Sequence, residues 1–327
     1  MRKKTIITLS TIIVIAFAIL LLLLKSNTAE TKKTVSIPDS LYLTVGVLPI
    51  SECLPLIVAE HSGISESLGL HLRTIMFDSA MDADTAFTNR QTDLTVTDGI
   101  KLALMLQNGD SVSGILCSDY NLTLVTTRAS RITKPKNLKE KIIGITRNSV
   151  TDWYADLVME KEKMETVDLN RPQINSLYIR YRMIEQNEYD GAILPHPWSH
   201  AAISLGNNAI SLSSEFNELN NSFIIAAHDS VLSARKNDID KLKKSYNQAV
   251  DSINSWKKPL QLILHKYYSQ IPLPKDTIKV SNEDRLHHYT PYNIDSLQSA
   301  RNWARKRGLT EKPKENPGYK SIKQNTQ

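Results

Sequence analysis

Cysteine is scarce in this 327-residue chain, which contains only Cys53 and Cys117. Two cysteines without CxxC spacing do not make a zinc site. Neither lies near the end of the N-terminal apolar run, which excludes a bacterial lipoprotein anchor. In an oxidising compartment the two thiols could pair, or both could be small buried hydrophobic residues. The sequence leaves these two alternatives open.

Catalytic signatures are absent as well. The chain contains no GxSxG, HExxH, Walker A or GxGxxG pattern, so no motif favours an esterase, a zinc protease, an NTPase or a dinucleotide enzyme. His196 and His200 have the helical spacing of metal ligands, but no carboxylate or cysteine lies at a matching distance in the sequence. The absence of these motifs removes the positive reasons for proposing an enzyme, and the resemblance described below implies no chemistry. We predict a protein that is not an enzyme, with no catalytic residue, metal or cofactor.

The body of the chain has no net positive charge, although the whole chain carries +6. Residues 1–33 contribute +5 and residues 311–327 contribute +2, so the body carries −1. A body without an overall positive field does not attract a phosphate backbone. We expect no nucleic-acid partner.

The N-terminus contains a run of twenty residues without charge, "TIITLSTIIVIAFAILLLLL" (5–24), preceded by "MRKK". This run is long enough to span a bilayer, and the basic residues before it favour export of the remainder. We predict a signal anchor or signal peptide over 1–24 and a linker over 25–39. The body would lie outside the cytoplasm, in the periplasm. Asn27 and Ala29 make a poor cleavage site, which favours an uncleaved tether to the inner membrane over release.

Strand-like and helix-like segments alternate through the body, which predicts parallel βαβ units and an α/β fold. After "RITKPKNLKEK" (131–141) the pattern restarts, with "IIGIT" (142–146) and "INSLYI" (174–179) predicted as strands and "RYRMIEQNE" (180–188) as a helix. From residue 230 onward the pattern changes to long amphipathic helices. The last segment, 311–327, is predicted to be disordered.

Two serines precede predicted helices with an acid three residues later: Ser79 with Asp82, and Ser149 with Asp152. This spacing predicts capping boxes, and a helix N-terminus can also hold a polar or anionic ligand group. Four acids crowd the entrance of the predicted cleft with negative charge: Asp78, Asp82, Asp84 and Asp98. This charge favours a ligand with an amine or a protonatable ring. Trp153 and Trp198, each just after a strand-to-helix turn, are either core residues or an apolar wall for a ring.

The stretch "DGAILPHPWSHAA" (190–202) predicts a strand that stops at prolines and turns into a helix. Ligands of open α/β sheets bind at such corners, past the carboxyl ends of strands. This corner is therefore predicted to be either one wall of a site or only a tight turn.

Four segments in this order resemble solute-binding proteins of the nitrate/sulfonate/taurine and thiamine-pyrimidine type, which feed ABC importers. They are "VGVLPISECLPLIVAEHSGISESLGLHLRTIMFDSAMDADTAF", "QTDLTVTDGIKLALMLQNG", "KPKNLKEKIIGITRNSVTDWYADLVMEKE" and "YDGAILPHPWSHAA". The resemblance covers about residues 41–310. This chain has His196 where the family commonly has glutamate, and Glu140 where the family usually has glycine.

The resemblance implies a two-lobed α/β fold of the periplasmic-binding-protein type (type II), with a ligand cleft between the lobes. Lobe I would be residues 40–125 and 232–310, and lobe II residues 126–231. The lobes would close on a small polar molecule, and the closed form would dock on an ABC permease and its ATPase. The ligand-binding candidates carried over by position are Pro49, Ile50, Ser79, Ala80, Thr97, Asp98, Asn148, Ser149, Val150, Leu194, Pro195 and His196.

The class of ligand stays open at this point among a sulfonate, a nitrate-like anion and an aminopyrimidine. Two other functions on the same fold are alternatives. One is an enzyme of the thiamine-pyrimidine or menaquinone-pathway type, against which the export segment argues. The other is an extracytoplasmic ligand sensor without a dedicated permease.

Overall fold

The computed structural model describes residues 39–256, 260–268, 286–294 and 297–310. The predicted membrane segment 1–24, all but the last residue of the linker 25–39 and the tail 311–327 lie outside these ranges. Within them no helix is both long enough and apolar enough to cross a membrane. The chain divides into two compact units, Met1–Leu41 and Tyr42–Gln327. The described part of the first is a single 3-10 turn, Asp39–Leu41; everything below concerns the second.

The first sheet has six strands: β1 (Leu43–Val47), β2 (Leu72–Met76), β3 (Leu94–Asp98), β4 (Val112–Ser118), β9 (Phe223–His228) and β10 (Thr290–Pro291). Their order across the sheet is β10-β4-β9-β3-β1-β2. Strand β1 pairs in parallel with β2 and β3, whereas β9 is antiparallel to both β3 and β4. The central strands β3 and β9 are buried along their whole length, because helices cover both faces of the sheet.

The second sheet has four strands, β5 (Leu122–Thr126), β6 (Ile143–Gly144), β7 (Gly191–Pro195) and β8 (Asn208–Leu212), in the order β6-β7-β5-β8. Strand β6 is parallel to β7, and β5 is antiparallel to β7 and β8. The predicted strand "IIGIT" is therefore reduced to a short β6. The predicted corner at 195–198 begins where β7 ends.

Two loops connect the sheets, residues 119–121 between β4 and β5 and residues 213–222 between β8 and β9. The lobe boundaries predicted from the sequence, after residues 125 and 231, lie past these loops. Strand β5 pairs with β7 and β8 in the second sheet, and β9 inserts between β3 and β4 in the first. At the first connection the second sheet already begins with β5, which the prediction had assigned to lobe I. At the second connection the chain returns to the first sheet with β9, which the prediction had assigned to lobe II.

Eleven described helices surround the sheets: α1 (Leu54–His61), α2 (Ile64–Ser67), α3 (Ala80–Thr88), α4 (Gly99–Gln107), α5 (Val150–Lys161), α6 (Leu177–Glu185), α7 (Trp198–Ser204), α8 (Asp229–Ala234), α9 (Lys236–Ser255), α10 (Leu260–Tyr267) and α11 (Leu297–Lys306). The predicted amphipathic helices are confirmed in α9, which buries Ile239, Leu242, Tyr246, Ala249, Val250 and Ile253 on one face.

The predicted strand "INSLYI" is wrong, because α6 already begins at Leu177. Ser176 caps this helix by accepting a hydrogen bond from the Ile179 N–H at 3.3 Å. Serine at an N-cap stops the preceding extended segment and starts a helix. The extended residues lie just before it, where Asn170 and Gln173 form isolated bridges to Ile142 and Ile145.

The helices pack on the sheets in two hydrophobic clusters, and each cluster contains residues of both sheets. One joins β1 and α1 to Leu194 and Trp198; the other joins Ile100 to Trp153. Both tryptophans are buried in these clusters, as the core alternative predicted. Cys53 and Cys117 are buried and free rather than paired. Glu140 has a φ of +62°, a backbone conformation that favours the glycine usual in the family.

Candidate functional site

A cleft lies where the carboxyl ends of strands from both sheets meet. The cavity at its base has a volume of about 30 Å³. The first sheet contributes the ends of β1 and β3, and the second contributes the end of β7 and the N-termini of α5 and α6. A ligand in this cleft would contact both sheets at once.

Six of the twelve residues predicted to bind ligand line this cleft. They are Ala80, Thr97, Asp98, Ser149, Val150 and Pro195. Three come from the first sheet and its helices and three from the second, so the predicted sharing of the site by both lobes corresponds to one cavity. Their assignment to ligand remains a prediction.

The other six predicted residues lie away from the cleft wall: Pro49, Ile50, Ser79, Asn148, Leu194 and His196. Most of them are engaged in the fold. The carbonyl of Pro49 accepts a hydrogen bond from the Trp198 ring N–H at 2.9 Å, and that of Ile50 accepts one from the Tyr268 hydroxyl at 2.7 Å. Leu194 is fully buried in a hydrophobic cluster.

The two serine caps have formed, but they face the cleft differently. Ser79 accepts a hydrogen bond from the Asp82 N–H at 3.1 Å and donates to the Asp82 carboxylate at 2.7 Å, so its hydroxyl is occupied. Ser149 accepts a hydrogen bond from the Thr151 N–H at 3.2 Å and donates to the Thr146 carbonyl at 2.7 Å, so its hydroxyl is occupied as well, but this residue lines the cleft. Asp152 does not complete a box at Ser149, because its carboxylate accepts from the Asn148 N–H at 3.1 Å instead.

The strand-end corner joins the two sheets rather than lining the cleft with His196. The Ser51 N–H donates to the His196 carbonyl at 2.9 Å, the His196 N–H donates to the Asn121 carbonyl at 3.1 Å, and the His196 imidazole is hydrogen-bonded to the Ser51 hydroxyl. Burial and the neighbouring His200 hold the pKa of His196 well below its usual range. The neutral imidazole of His196 therefore links the residues that follow β7 to those that follow β1 by a hydrogen bond.

Asp98 is the acid that the first sheet places in the cleft. Its carboxylate caps α4 by accepting hydrogen bonds from the Ile100 N–H at 2.9 Å and the Lys101 N–H at 3.0 Å. Burial raises the pKa of Asp98 to about 6, although Lys101 and the backbone N–H of Val150 in the second sheet's α5 oppose this rise. The Asp98 carboxylate is therefore bound by two N–H groups of its own helix, and the Val150 N–H across the cleft lowers its pKa.

Arg180 is the base that the second sheet places in the cleft, and the sequence analysis did not single it out. The side chain is 1% exposed. Its Nε and Nη2 donate to the Ile174 carbonyl at 3.1 and 2.6 Å, its Nη1 donates to the Ile193 carbonyl at 2.9 Å, and Nη2 also donates to the Thr146 hydroxyl. Burial lowers the pKa of Arg180 to about 10, so the guanidinium is still charged at neutral pH.

A helical pattern in the sequence could have revealed Arg180. Leu177, Tyr181 and Ile184 are buried at spacings of three and four residues, and Arg180 falls on the same stripe. The sequence analysis began the helix at residue 180 and so did not see that a charged residue occupies a core-facing position.

The remaining cleft wall, which sequence reasoning also missed, is apolar or uncharged. Tyr120 and Phe223 meet edge to face with ring centroids 5.7 Å apart. Leu48, Val96 and Leu177 extend this apolar surface, and Thr146, Thr151 and Asn175 add polar groups on the second sheet's side. Tyr120 lies in one of the loops that connect the sheets, and Phe223 is the first residue of β9. The order of strands and helices in the sequence did not indicate that these two residues meet at the cleft. Among the described residues no group of three or more His, Cys, Asp or Glu side chains could hold a metal ion.

Comparisons with known proteins agree with this architecture. A family model described as NMT1/THI5 like matches residues 50–194, and no curated protein matches the sequence. The alkanesulfonate-binding protein SsuA from Xanthomonas axonopodis pv. citri, bound to MOPS, superimposes with a TM-score of 0.72 at 13% identity, over 83% of this chain and 95% of that one.

Two further structures share the fold. The periplasmic nitrate-binding protein NrtA from Synechocystis PCC 6803 has a TM-score of 0.60 at 10% identity, over 79% of this chain and 74% of that one. The desulfurization enzyme DSZB has a TM-score of 0.58 at 13% identity, over 83% and 94%. The predicted resemblance and the predicted α/β periplasmic-binding-protein fold are thereby confirmed. The predicted N-terminal apolar helix lies outside the described residues.

Proposed function

We propose that this chain is an extracytoplasmic solute-binding protein that delivers a small polar molecule to an ABC importer. The observation that carries this function is the single cleft to which both sheets contribute residues at their strand ends. The fold shared with periplasmic sulfonate- and nitrate-binding proteins supports it, as does the NMT1/THI5 like match.

The proposed mechanism is closure about the two connecting loops, 119–121 and 213–222. A ligand that contacts both walls stabilises the closed form by the contacts that exist only there. The backbone N–H of Val150 in α5 already acts on Asp98 across the cleft, where it lowers the pKa of that carboxyl. The closed form would then dock on the permease and its ATPase.

The membrane tether is a separate proposal. The charge-free run at 5–24 and the basic residues before it support an uncleaved N-terminal helix in the inner membrane. If this is correct, alkaline carbonate washing leaves the full chain in the membrane fraction and a variant lacking 5–24 does not enter that fraction. Recovery of the full chain in the wash would overturn the tether.

An enzyme on the same fold is the second candidate, because DSZB shares the architecture. The titratable side chains of the described cleft wall are Asp98, Tyr120 and Arg180. Asp98 is held by backbone N–H groups, and burial raises the pKa of Tyr120 well above its usual range. The cleft thus offers no paired acid and base, which favours binding.

One experiment separates these candidates. The full chain, purified in mild detergent, would be titrated calorimetrically with a panel of sulfonates, nitrate and aminopyrimidines, and each bound compound would then be recovered and identified by mass spectrometry. The proposed function predicts saturable binding and recovery of the compound unchanged. A chemically altered compound would favour the enzyme.

A further inference from the structure

The C-terminal helix α11 contacts helices that cover both sheets. It follows β10, which pairs with β4 at the edge of the first sheet, and it begins on α4 of that sheet. A Cβ atom added at Gly99, the first residue of α4, would lie 3.4 Å from the Ala300 Cβ and 3.8 Å from the Leu297 side chain. The end of α11 and the residue after it reach α5 of the second sheet through Trp303 and Arg307. One short helix therefore connects the two walls of the cleft.

The contact of α11 with α4 is apolar. Leu297, Ala300 and Ala304 are at most 2% exposed, and they belong to the same hydrophobic cluster as Ile100 of α4. Separating the two helices would expose this apolar surface to water, which costs free energy in proportion to the area exposed. We therefore expect α11 to move together with the first sheet.

The contact of α11 with α5 is polar. The Trp303 ring N–H donates a hydrogen bond to the Asp156 carboxylate at 2.8 Å, and the Arg307 guanidinium lies 3.3 Å from the Asp152 carboxylate and 3.6 Å from that of Asp156. The Arg307 side chain is 33% exposed, so water already reaches it. Groups of this kind can exchange a protein partner for water at a small net cost.

The two acids of α5 do not depend on α11 for a counter-charge. Arg171, in the loop after α5, lies 2.8 Å from the Asp152 carboxylate and 2.6 Å from that of Asp156. This loop belongs to the second sheet, because the adjoining Asn170 bridges to Ile142 beside β6. A buried charge that loses its last partner is strongly destabilising. Since Arg171 stays with the acids, α11 can leave α5 without isolating a buried carboxylate.

These contacts lie directly beside the cleft. Asp98, immediately before α4, and Val150, the first residue of α5, both line it. The cavity between them has a volume of about 30 Å³, which has room for no more than a few water molecules. The sheets also meet where the Leu177 N–H donates to the Asp78 carbonyl at 3.4 Å. The cleft is thus closed, and a solute can enter only after its walls separate. That separation requires α11 to give up one of its two contacts.

We propose that Trp303 and Arg307 form a latch with Asp152 and Asp156: α11 stays packed on α4 and releases α5 when the cleft opens. This inference rests on the closure mechanism of the proposed function and adds a determinant to it. The balance between open and closed forms is then set in part by the C-terminal helix and not by the solute alone. A solute held by the closed form gains apparent affinity from every contact that favours that form.

The first test measures the separation of the sheets without any solute, by double electron–electron resonance on the full chain in mild detergent. Spin labels at Thr88→Cys and Gln186→Cys report opening. Both positions are exposed, and they lie at the far ends of α3 and α6, which begin at the cleft on opposite sheets. Cys53 and Cys117 are buried and do not compete for the label. With the latch intact, the shorter distance should dominate.

The latch is then removed in the labelled chain. Trp303→Phe together with Arg307→Met should raise the ratio of the longer to the shorter distance by about tenfold. Arg305→Met is the matched control, because Arg305 is exposed on the same helix and hydrogen-bonds to Asn302 of α11 itself; it should leave the ratio unchanged. Should the double variant fail to fold, Arg307→Met alone decides, with an expected rise of about threefold. Equal distance distributions in the latch variant and the control would overturn the latch.

The second test uses salt. Because Arg307 is partly exposed, added ions screen its attraction to Asp152 and Asp156. Raising the sodium chloride concentration should increase the longer-distance population of the labelled chain and should have little effect in its Arg307→Met variant. The same salt response in both would overturn the latch. Neither of these results bears on the proposed function, because no solute is present; that function fails instead if no compound binds in the calorimetric titration.

Discussion

Asp98 and Arg180 are buried charged residues on opposite walls of one cleft, and they differ in what neutralises them. Asp98 receives backbone N–H groups from the helix that it caps and faces Val150 across the cleft. Arg180 receives carbonyl and hydroxyl oxygens but no counter-charge from the described residues. The fold itself thus supplies hydrogen-bond donors to the Asp98 carboxylate. The Arg180 guanidinium, by contrast, borders the cleft with neutral oxygen atoms as its acceptors.

Asp156 on α5 shows the strongest compensation of a buried charge, because it contacts several partners at α11 and in the loop after α5. Asp156 accepts from Arg171 at 2.6 Å and from the Trp303 ring N–H at 2.8 Å, and Arg307 lies 3.6 Å from the same carboxylate. Removing Asp156 leaves the Trp303 ring N–H without its acceptor, and it leaves Arg171 and Arg307 with Asp152 as their one remaining carboxylate among the described residues, at 2.8 and 3.3 Å.

The largest effect on stability is expected from Asp156→Ala, which should lower the free energy of unfolding by about 3–5 kcal/mol. Denaturant unfolding monitored by tryptophan fluorescence would measure it. Asp251→Ala is the control, because Asp251 and His288 form an exposed pair at 2.7 Å and surface pairs contribute little. Equal losses in the two variants would contradict the distinction between compensated buried pairs and surface pairs.

The second prediction concerns the pH dependence that Asp98 confers. Its folded pKa, about 6, lies above the ordinary value of 3.8, so the folded state binds more protons between these values. The contribution of Asp98 therefore favours folding at the acidic end and is lost as the pH rises through about 6. Relative to Asp98→Asn, the unaltered chain should lose about 2–3 kcal/mol of stability between pH 4 and pH 7.

The Asn variant retains an N-cap at α4 but carries no titrating group, so the difference between the two proteins isolates Asp98 from His196 and the other buried residues. Urea unfolding at several pH values provides the measurement. Parallel pH profiles for the two proteins would show that the Asp98 carboxyl does not titrate in this range.

The smallest effect is expected at Ser149, which caps α5 in the wall opposite Asp98. Ser149→Ala removes the acceptor of the Thr151 N–H and the donor to the Thr146 carbonyl at 2.7 Å, which should cost about 1 kcal/mol. It should also weaken ligand binding, since Ser149 lines the cleft. Ser79→Ala, a comparable cap outside the cleft wall, should cost similar stability without changing affinity. Unchanged affinity in Ser149→Ala would remove this residue from the site.

Much of the fold was predictable because it depends on local pattern. The alternation of strands and helices in the body, the amphipathic period of α9 and the serine caps at Ser79 and Ser149 are all visible in the sequence and present in the structure. The strand "INSLYI" was mispredicted because its β-branched and aromatic residues favour a strand, while Ser176 is a helix cap whose effect dominates at this position.

The candidate site was only half predictable for a related reason. Residues that follow strand ends, such as Asp98 and Pro195, can be placed from the order of elements alone. Tyr120, Phe223 and Arg180 reach the cleft from a connecting loop, the first residue of a strand and the buried face of a helix. No local pattern identifies residues that converge in this way, because their proximity depends on how the two sheets are joined.

By itself the sequence determined the α/β class, the caps and the apolar faces, since these follow from short-range periodicity and backbone hydrogen bonding. Only the tertiary structure decided which charges are compensated. In the sequence Asp84, Asp98 and Arg180 are all simply charged residues. Their difference arises from partners that are distant along the chain: Lys101 for Asp84, α5 for Asp98, and the carbonyl of Ile193 in β7 for Arg180. Electrostatic compensation depends on distance in space and on burial, and neither quantity exists before the chain is folded.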